Sequence, residues 1–420
     1  MPISPQDDLN YERFRQLQMR LDLSRGKPAP EQLDLSQALL DNAAQVGFRA
    51  RDGFDCRNYG LLPGLPEARE LGGELLGVPA AQVVAAGNSS LELMHDALAF
   101  ALLHGVPQGE DGRRSAPWRA QGEIAFICPV PGYDRHFAMC EALGVRMIAV
   151  PMHDDGPDMD AVEALVREDA SIKGMWCMPL YSNPTGAIYA DAVVRRLAAM
   201  PTAAPDFRLF WDDAYRFHHL TDTAHTTLDV IAACAAAGHA DRVLMFASLS
   251  KVTIAGGALA WLAASPGNVA WWQRCASART IGPDKLNQLR HVHYLRERAT
   301  LDTLMARHRA LLAPKFAAVD EVLRERLSGI PGVRWNVPQG GYFISLYVPP
   351  GHARRTVELA GAAGLVLTPA GAAFPYGVDP LDSHLRIAPS FASLDEVRLA
   401  AQGIAVSLLR SLETSEALVG

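Results

Sequence analysis

Arg242-Val243-Leu244-Met245-Phe246-Ala247-Ser248-Leu249-Ser250-Lys251 is the stretch on which the fold reading turns, an apolar, strand-like run that ends in two serines and a lysine. A short apolar run bounded by small polar residues reads as a buried strand. Strand ends are where open α/β sheets hold their ligands. A lysine placed there loses solvation, which disfavours the ammonium, and the freed amine can condense with an aldehyde. A surface lysine beside two serines is common, so residues 248–251 gain their weight from other segments.

Four segments supply it. Gly174-Met175-Trp176-Cys177-Met178-Pro179-Leu180 is apolar and runs into Tyr181-Ser182-Asn183-Pro184-Thr185-Gly186, a rigid turn that carries an asparagine amide at its tip. Arg208-Leu209-Phe210-Trp211-Asp212-Asp213-Ala214-Tyr215 reads as a strand that delivers two carboxylates and, three residues after the first, a phenol. Val83-Val84 precedes Ala85-Ala86-Gly87-Asn88-Ser89-Ser90, and a helix is expected from Leu91. Small residues and hydroxyls at a helix start suit a phosphate, because unpaired N–H groups and the helix dipole both favour an anion there. Finally Pro129-Val130-Pro131-Gly132-Tyr133 follows the strand-like Glu123–Cys128 and sets an aromatic face on a stiff loop.

In order and spacing these segments resemble the fold-type I pyridoxal-phosphate enzymes, specifically the class I/II aminotransferases, over nearly the whole chain. Arg386, in His384-Leu385-Arg386-Ile387-Ala388, completes the set. Leu23-Ser24-Arg25-Gly26-Lys27-Pro28 and Ile281-Gly282-Pro283-Asp284-Lys285-Leu286-Asn287-Gln288 look like the aspartate aminotransferase branch related to the catalytic domain of MocR regulators. The resemblance implies a mainly parallel central sheet in a large pyridoxal-phosphate-binding domain, 51–297, with a smaller α+β domain made of 1–50 and 298–420.

The resemblance also distributes roles. Lys251 carries the cofactor covalently and later moves the proton released at the substrate α-carbon. Asp212, three residues before the tyrosine, takes the pyridine nitrogen, with Asp213 as the competing carboxylate. Tyr215 and Asn183 bind the cofactor's phenolic oxygen, although an asparagine there can also be a simple turn cap. Tyr133 stacks on the ring, and Asn88, Ser89, Ser90, Ser248 and Ser250 form the phosphate cup. Tyr59 reaches the phosphate of a neighbouring subunit, which makes the active site a property of a homodimer. Arg386 grips the substrate carboxylate bidentately, with Asn183, Gly26 and Arg25 as further substrate contacts. For the distal carboxylate of an acidic substrate the available cations are Arg25, Lys27, Arg279 and Lys285. One departure stands out. The family's phosphate-gripping arginine, seven or eight residues after the lysine, is replaced by Ala258 and Leu259, leaving Thr253 and the small residues of 255–257.

The 420 residues are 49% hydrophobic, enough for two substantial cores. A net charge of −7 without basic runs argues against nucleic acid as a partner. Residues 1–8 lack the basic and apolar parts of a leader, and no apolar stretch is long enough to span a bilayer, so a cytoplasmic protein is expected. Six scattered cysteines show no metal-type pairing and read as reduced core residues. Helices are expected at Tyr133–Leu143, Ala190–Ala199, from about Leu286 to Leu327 and at Ala353–Ala363, and strands at Val333–Val337 and Gly341–Val348. The leading expectation is a ping-pong aminotransferase using aspartate or another acidic donor with 2-oxoglutarate. A β-lyase or decarboxylase of the same fold, and a non-catalytic sensor, are the alternatives.

Overall fold

Ala125 and Ile127 belong to one apolar layer and Phe126 and Cys128 to another, while Val243, Met245 and Ala247 alternate in the same way with Leu244 and Phe246. Successive strand residues point to opposite faces, so strands apolar on both faces need cover on both. The computed structural model describes residues 9–41, 47–108 and 113–419; the opening residues 1–8, read above for leader features, lie outside them. These runs form an eight-stranded sheet in the order Val83–Ala85, Ala260–Ala264, Val243–Ser248, Arg208–Asp212, Ile172–Cys177, Ala125–Val130, Arg146–His153 and Gly156–Pro157. The strands from Val243–Ser248 to Arg146–His153 run parallel. Ala260–Ala264 is antiparallel to both neighbours. Two successive reversals restore direction, so Gly87 to Ser90 leave the sheet at the same edge as Lys251.

Helices cover both faces. Ser90–His104, Asp134–Leu143 and Pro266–Ala276 supply Leu93, Phe137 and Trp272 to the layer that holds Phe126, whereas Pro66–Leu76, Met159–Glu168 and Asp191–Ala199 supply Leu71, Val162 and Leu197 to the layer that holds Ile127. The mostly parallel sheet between helices is the α/β architecture expected from the sequence. All six cysteines are free and buried. Among the described residues no helix is long and apolar enough to cross a membrane.

A second unit is built around the antiparallel sheet Arg334–Trp335, Ile344–Tyr347, His384–Ile387, shorter at both expected strands, with the helix Ala353–Ala362 beside it. Leu9, Tyr11, Phe14, Leu21 and Leu23 share its apolar cluster with Phe316, Leu346 and Leu365, and Leu21–Asp22 pairs in parallel with Leu365–Val366. Leu35 and Ala50 pack instead against the large sheet's layer. The helix expected from about Leu286 to Leu327 is two helices, Lys285–Leu295 and Arg298–Leu327. Arg296 closes the first by donating its N–H to Val292 O and takes φ +55°, after which Glu297 is extended. That break uses a left-handed residue other than glycine, so no punctuation marks it in the sequence. The longer helix ties the two units together, giving Leu301 and Leu304 to one cluster and Leu312 and Phe316 to the other.

Candidate active site

Asp212 is the last residue of its strand and, by alternation, faces the same side as Phe210, while Asp213 faces the other. Asp212 Oδ2 lies 3.0 Å from His136 Nε2, with both side chains almost fully buried. Its Oδ1 is buried without a hydrogen-bond partner. Asp213 Oδ2 accepts from Arg216 Nη1 at 2.6 Å, and Arg216 is anchored in turn on Leu76 O. Burial pushes the Asp213 carboxyl up, with Arg216 opposing. Asp213 is thus committed to a structural ion pair on the far face. His136 stacks on Trp176 at 4.3 Å and 8°, which fixes the plane in which it meets Asp212. Sequence reading did not single it out; the available signal was a histidine one helical turn after Tyr133.

Lys251 follows the strand Val243–Ser248, and its Nζ lies 5.0 Å from the centroid of the Tyr215 ring. Burial lowers its pKa while Asp212 opposes the shift, so its amine is easier to free than a surface lysine's. Tyr215 is buried and its phenol is held well above its ordinary pKa, first by burial and then by Tyr133 and Asp212. Asn183 is buried, donates its N–H to Met178 Sδ at 3.0 Å, and keeps its amide oxygen unpartnered. Tyr133 precedes the helix Asp134–Leu143 in extended backbone and meets His136 edge-on at 5.0 Å. A small cavity is lined by Tyr133, His136, Trp176, Ser182 and Asn183.

The hydroxyl-rich segments meet as well. Asn88 Nδ2 donates to Gly256 O at 3.2 Å, Ser250 Oγ donates to Asn88 O at 3.2 Å, and Ser248 Oγ donates to Ser250 Oγ at 3.0 Å. Ser89 precedes the 15-residue helix that begins at Ser90 and makes no side-chain cap bond, so the first-turn N–H groups remain for an anion. Ala258 and Leu259 are fully buried. Thr253 does not serve as the replacement donor foreseen from the sequence. It points into the core, 3.1 Å from His291 Nε2 and 3.3 Å from Leu249 O, because the turn after Lys251 buries its side chain. Asn88, Ser248 and Ser250 bond to one another and to backbone carbonyls, so amides, hydroxyls and a helix end meet at this sheet edge.

Arg386 lies on the strand His384–Ile387 with its side chain 8% exposed. Nη1 donates to Asp134 Oδ1 at 2.6 Å and Nε to Thr368 Oγ1 at 3.4 Å, and Thr368 donates to Ser24 O at 2.8 Å. The guanidinium carbon is 5.0 Å from the Phe343 ring centroid. Gly26 packs on the same ring so closely that a Cβ would stand 2.3 Å from Phe343 Cζ. The Ser24–Gly26 segment and Arg386 are therefore neighbours. Of the four distal cations, Arg279 is paired with Asp96 at 2.7 Å, Lys285 is buried and donates to Gly60 O and Pro283 O, and Lys27 lies 3.8 Å over the Phe391 ring. Arg25 is exposed. Tyr59 is 78% exposed on the loop that Lys285 holds through Gly60, and its side chain makes no hydrogen bond among the described residues.

Several buried histidines around this site are held neutral by burial: His218 and His384 are pushed down to about 3 and His291 to about 4. The unfolded chain protonates near 6.5, before the folded one, so their contribution is complete above that pH and is lost as pH falls through the window below it. Each can remove up to about 1.4 kcal/mol per pH unit there. The urea midpoint is accordingly expected to drop clearly between pH 7.5 and pH 5, above the main carboxylate range. Equal midpoints at the two pH values would contradict this.

The comparisons follow the same lines. A family model described as aspartate amino-transferase matches residues 3–419. A protein of Mycolicibacterium smegmatis assigned to the aminotransferases is 51% identical over 413 residues, 98% of this chain and 95% of the relative. An aspartate aminotransferase of Corynebacterium glutamicum is 44% identical over 95% of this chain and 91% of its own. The crystal structure of an aspartate transaminase from the same species superposes with a TM-score of 0.92 at 44% identity, covering 96% of this chain and 94% of that one. The α-aminoadipate aminotransferase of Thermus thermophilus, complexed with N-(5'-phosphopyridoxyl)-L-leucine, shares the fold at TM-score 0.76 and 21% identity over 97% and 96% of the two chains. By the family match over nearly its whole length and the relative at 44% identity, this chain belongs to the aspartate aminotransferase family and is an aminotransferase of fold type I.

Proposed function

We propose that the protein is a pyridoxal-phosphate-dependent aminotransferase. It moves an amino group from an acidic L-amino acid, aspartate foremost, to a 2-oxo acid such as 2-oxoglutarate in a ping-pong sequence, and works as a homodimer. The observation that carries the cofactor reading is Asp212, whose Oδ2 is fixed by His136 while Oδ1 is buried and unpartnered. A buried carboxylate oxygen without a donor is costly, and a ring N–H is the donor that this position suits. The unpartnered amide oxygen of Asn183 and the amide-and-hydroxyl cup at Asn88, Ser248 and Ser250 fit the same group.

When bound, pyridoxal phosphate supplies an aldehyde that captures an amine and a protonated ring that accepts the electron pair released at the substrate α-carbon. Asp212 holds the proton at the ring nitrogen, and His136 keeps its carboxylate aimed. Tyr215 and Asn183 bind the phenolic oxygen, and Tyr133 covers the ring. Lys251, whose ammonium is disfavoured by burial, would hold the cofactor covalently and would accept and return the α-proton. Ser89, Ser90, Ser248, Ser250 and Asn88 hold the phosphate, with Tyr59 reaching it from the other copy. Arg386 takes the α-carboxylate in place of Asp134, and the exposed Arg25, beside Gly26, receives the distal carboxylate. The named aspartate aminotransferase relative at 44% identity supports aspartate as donor. The small residues 255–257, with Ala258 and Leu259 where the family has its arginine, support a branch shared with MocR-type proteins.

Titrating the cofactor-loaded protein with L-aspartate, without any 2-oxo acid, tests this. The cofactor's absorbance should convert fully and one equivalent of oxaloacetate should appear per site. Continuous ammonia release would mark a lyase instead, and an unmoved spectrum would remove aspartate as the donor.

A further inference from the structure

Beneath the lysine-bearing turn lies a polar network that none of the roles above uses. The turn closes on itself through the N–H groups of Val252 and Thr253, which both donate to Leu249 O at 2.9 Å. Its outward carbonyls are held by side chains from distant elements. His308, on the helix Arg298–Leu327, places Nε2 2.9 Å from Val252 O. Tyr342 donates its hydroxyl to Lys251 O at 3.5 Å, and His218 Nε2 lies 3.3 Å from the same oxygen. Behind both stands Gln32, fully buried on the short helix Pro30–Asp34. Its Nε2 lies 3.1 Å from His308 Nδ1 and 3.0 Å from the Tyr342 hydroxyl oxygen, and its Oε1 accepts the Ala29 N–H at 3.0 Å.

The directions of these bonds agree in one way only. An amide nitrogen has two hydrogens and no acceptor capacity, so Gln32 donates to both partners. His308 then accepts at Nδ1 and carries its proton on Nε2, where it meets Val252 O. Tyr342, accepting from Gln32, is free to turn its own hydrogen to Lys251 O. Burial lowers the His308 pKa and holds His218 near 3, so both rings stay neutral and the pattern survives across working pH.

We infer that Gln32 is a positioning residue for Lys251, acting through His308 and Tyr342 to fix the peptide groups from which the lysine side chain springs. The consequence is reach. Lys251 Nζ sits over Tyr215 at 5.0 Å and within the field of Asp212, and a turn released at two carbonyls changes both distances. The inference rests on Lys251 being the amine that holds the cofactor.

Two substitutions separate positioning from mere support. Gln32→Met keeps the volume and removes every side-chain bond. Gln32→Glu is nearly isosteric but, ionised, only accepts; it pulls the Tyr342 hydrogen away from Lys251 O and demands a proton on His308 Nδ1, setting Nε2 against Val252 O as acceptor against acceptor. Tyr342→Phe removes one arm and serves as the decisive variant should a position-32 variant fail to fold. Cofactor-loaded full-length proteins would be compared by the pH titration of the bound cofactor's absorbance, by kcat and KM for aspartate, and by thermal unfolding.

The expected result is a kcat about tenfold lower with KM within about twofold, and an absorbance midpoint moved by about half a pH unit or more. Tyr342→Phe should shift the same quantities in the same direction. Variants that lose thermal stability yet keep the wild-type absorbance midpoint and kcat would overturn the inference. Borohydride reduction of the loaded wild-type protein, followed by peptide mass analysis, keeps the two levels apart. Label on Lys251 with unchanged titrations sinks the positioning role alone, whereas no label on Lys251 sinks the underlying reading and this inference with it.

Discussion

Lys251→Ala is expected to lower transamination by roughly 10⁴-fold or more while leaving the fold intact. On the roles proposed for it two losses combine, since the same amine would form the covalent link and move the α-proton. The effect on stability has the opposite character. Among the described residues Lys251 Nζ makes no hydrogen bond or ion pair and lies over the Tyr215 ring. Its folded pKa lies below 10.5 because burial penalises the ammonium, so at neutral pH the folded state bears a charging cost that the unfolded chain does not. Removing the amine relieves that cost. Thermal unfolding of the cofactor-free variant should therefore fall at or above the wild-type temperature, even as steady-state turnover vanishes. A variant that keeps near-native turnover, or one that unfolds well below wild type, would overturn the assignment.

Arg386→Ala should reduce kcat/KM by roughly 10³-fold, with Arg386→Lys recovering little because an ammonium cannot present the planar pair of donors. This substitution also strands Asp134. The guanidinium is 8% and the carboxylate 33% exposed, so deleting one partner leaves a half-buried charge unmatched and should cost about 2 kcal/mol. Adding Asp134→Asn to Arg386→Ala should restore most of that stability and none of the activity. Asp134→Asn alone should lower KM for the amino acid several-fold, since the resident carboxylate no longer competes for the arginine. Kinetics and denaturation of the four proteins in one double-mutant cycle check the whole pattern. A KM that rises in Asp134→Asn would show that the aspartate orients the guanidinium rather than competing for it.

What could be read from the residues alone was whatever local sequence marks. Asn183, Asp212 and Lys251 lie on or beyond apolar strands followed by proline, glycine or serine, and those strands were placed to within about three residues. The sheet's mostly parallel character followed from the alternation of such runs with helices. The partners that complete the site were not legible, because they come from far along the chain. His136 meets Asp212 across 76 residues, Asp134 meets Arg386 across 252, and Gln32 meets Tyr342 across 310. No periodicity encodes such pairings. The direction of Thr253 was missed for a related reason, since a hydroxyl beside a glycine-rich segment reads as available until the histidine that claims it is seen. The helix break at Arg296 escaped because a left-handed arginine leaves no compositional mark.

The pairing of Leu21–Asp22 with Leu365–Val366 has a consequence for how each molecule is made. Ser24 waits for Thr368, which is 344 residues further along, and at roughly 5–20 residues per second of translation that delay is some tens of seconds. Throughout it Phe14, Leu21 and Leu23 have no finished cluster to enter, so the apolar residues of this early segment stay uncovered until the late strands are made. The packing of Gly26 on Phe343 beside Arg386 is then among the last parts of the enzyme to come into existence, after the ribosome has delivered nearly all the rest.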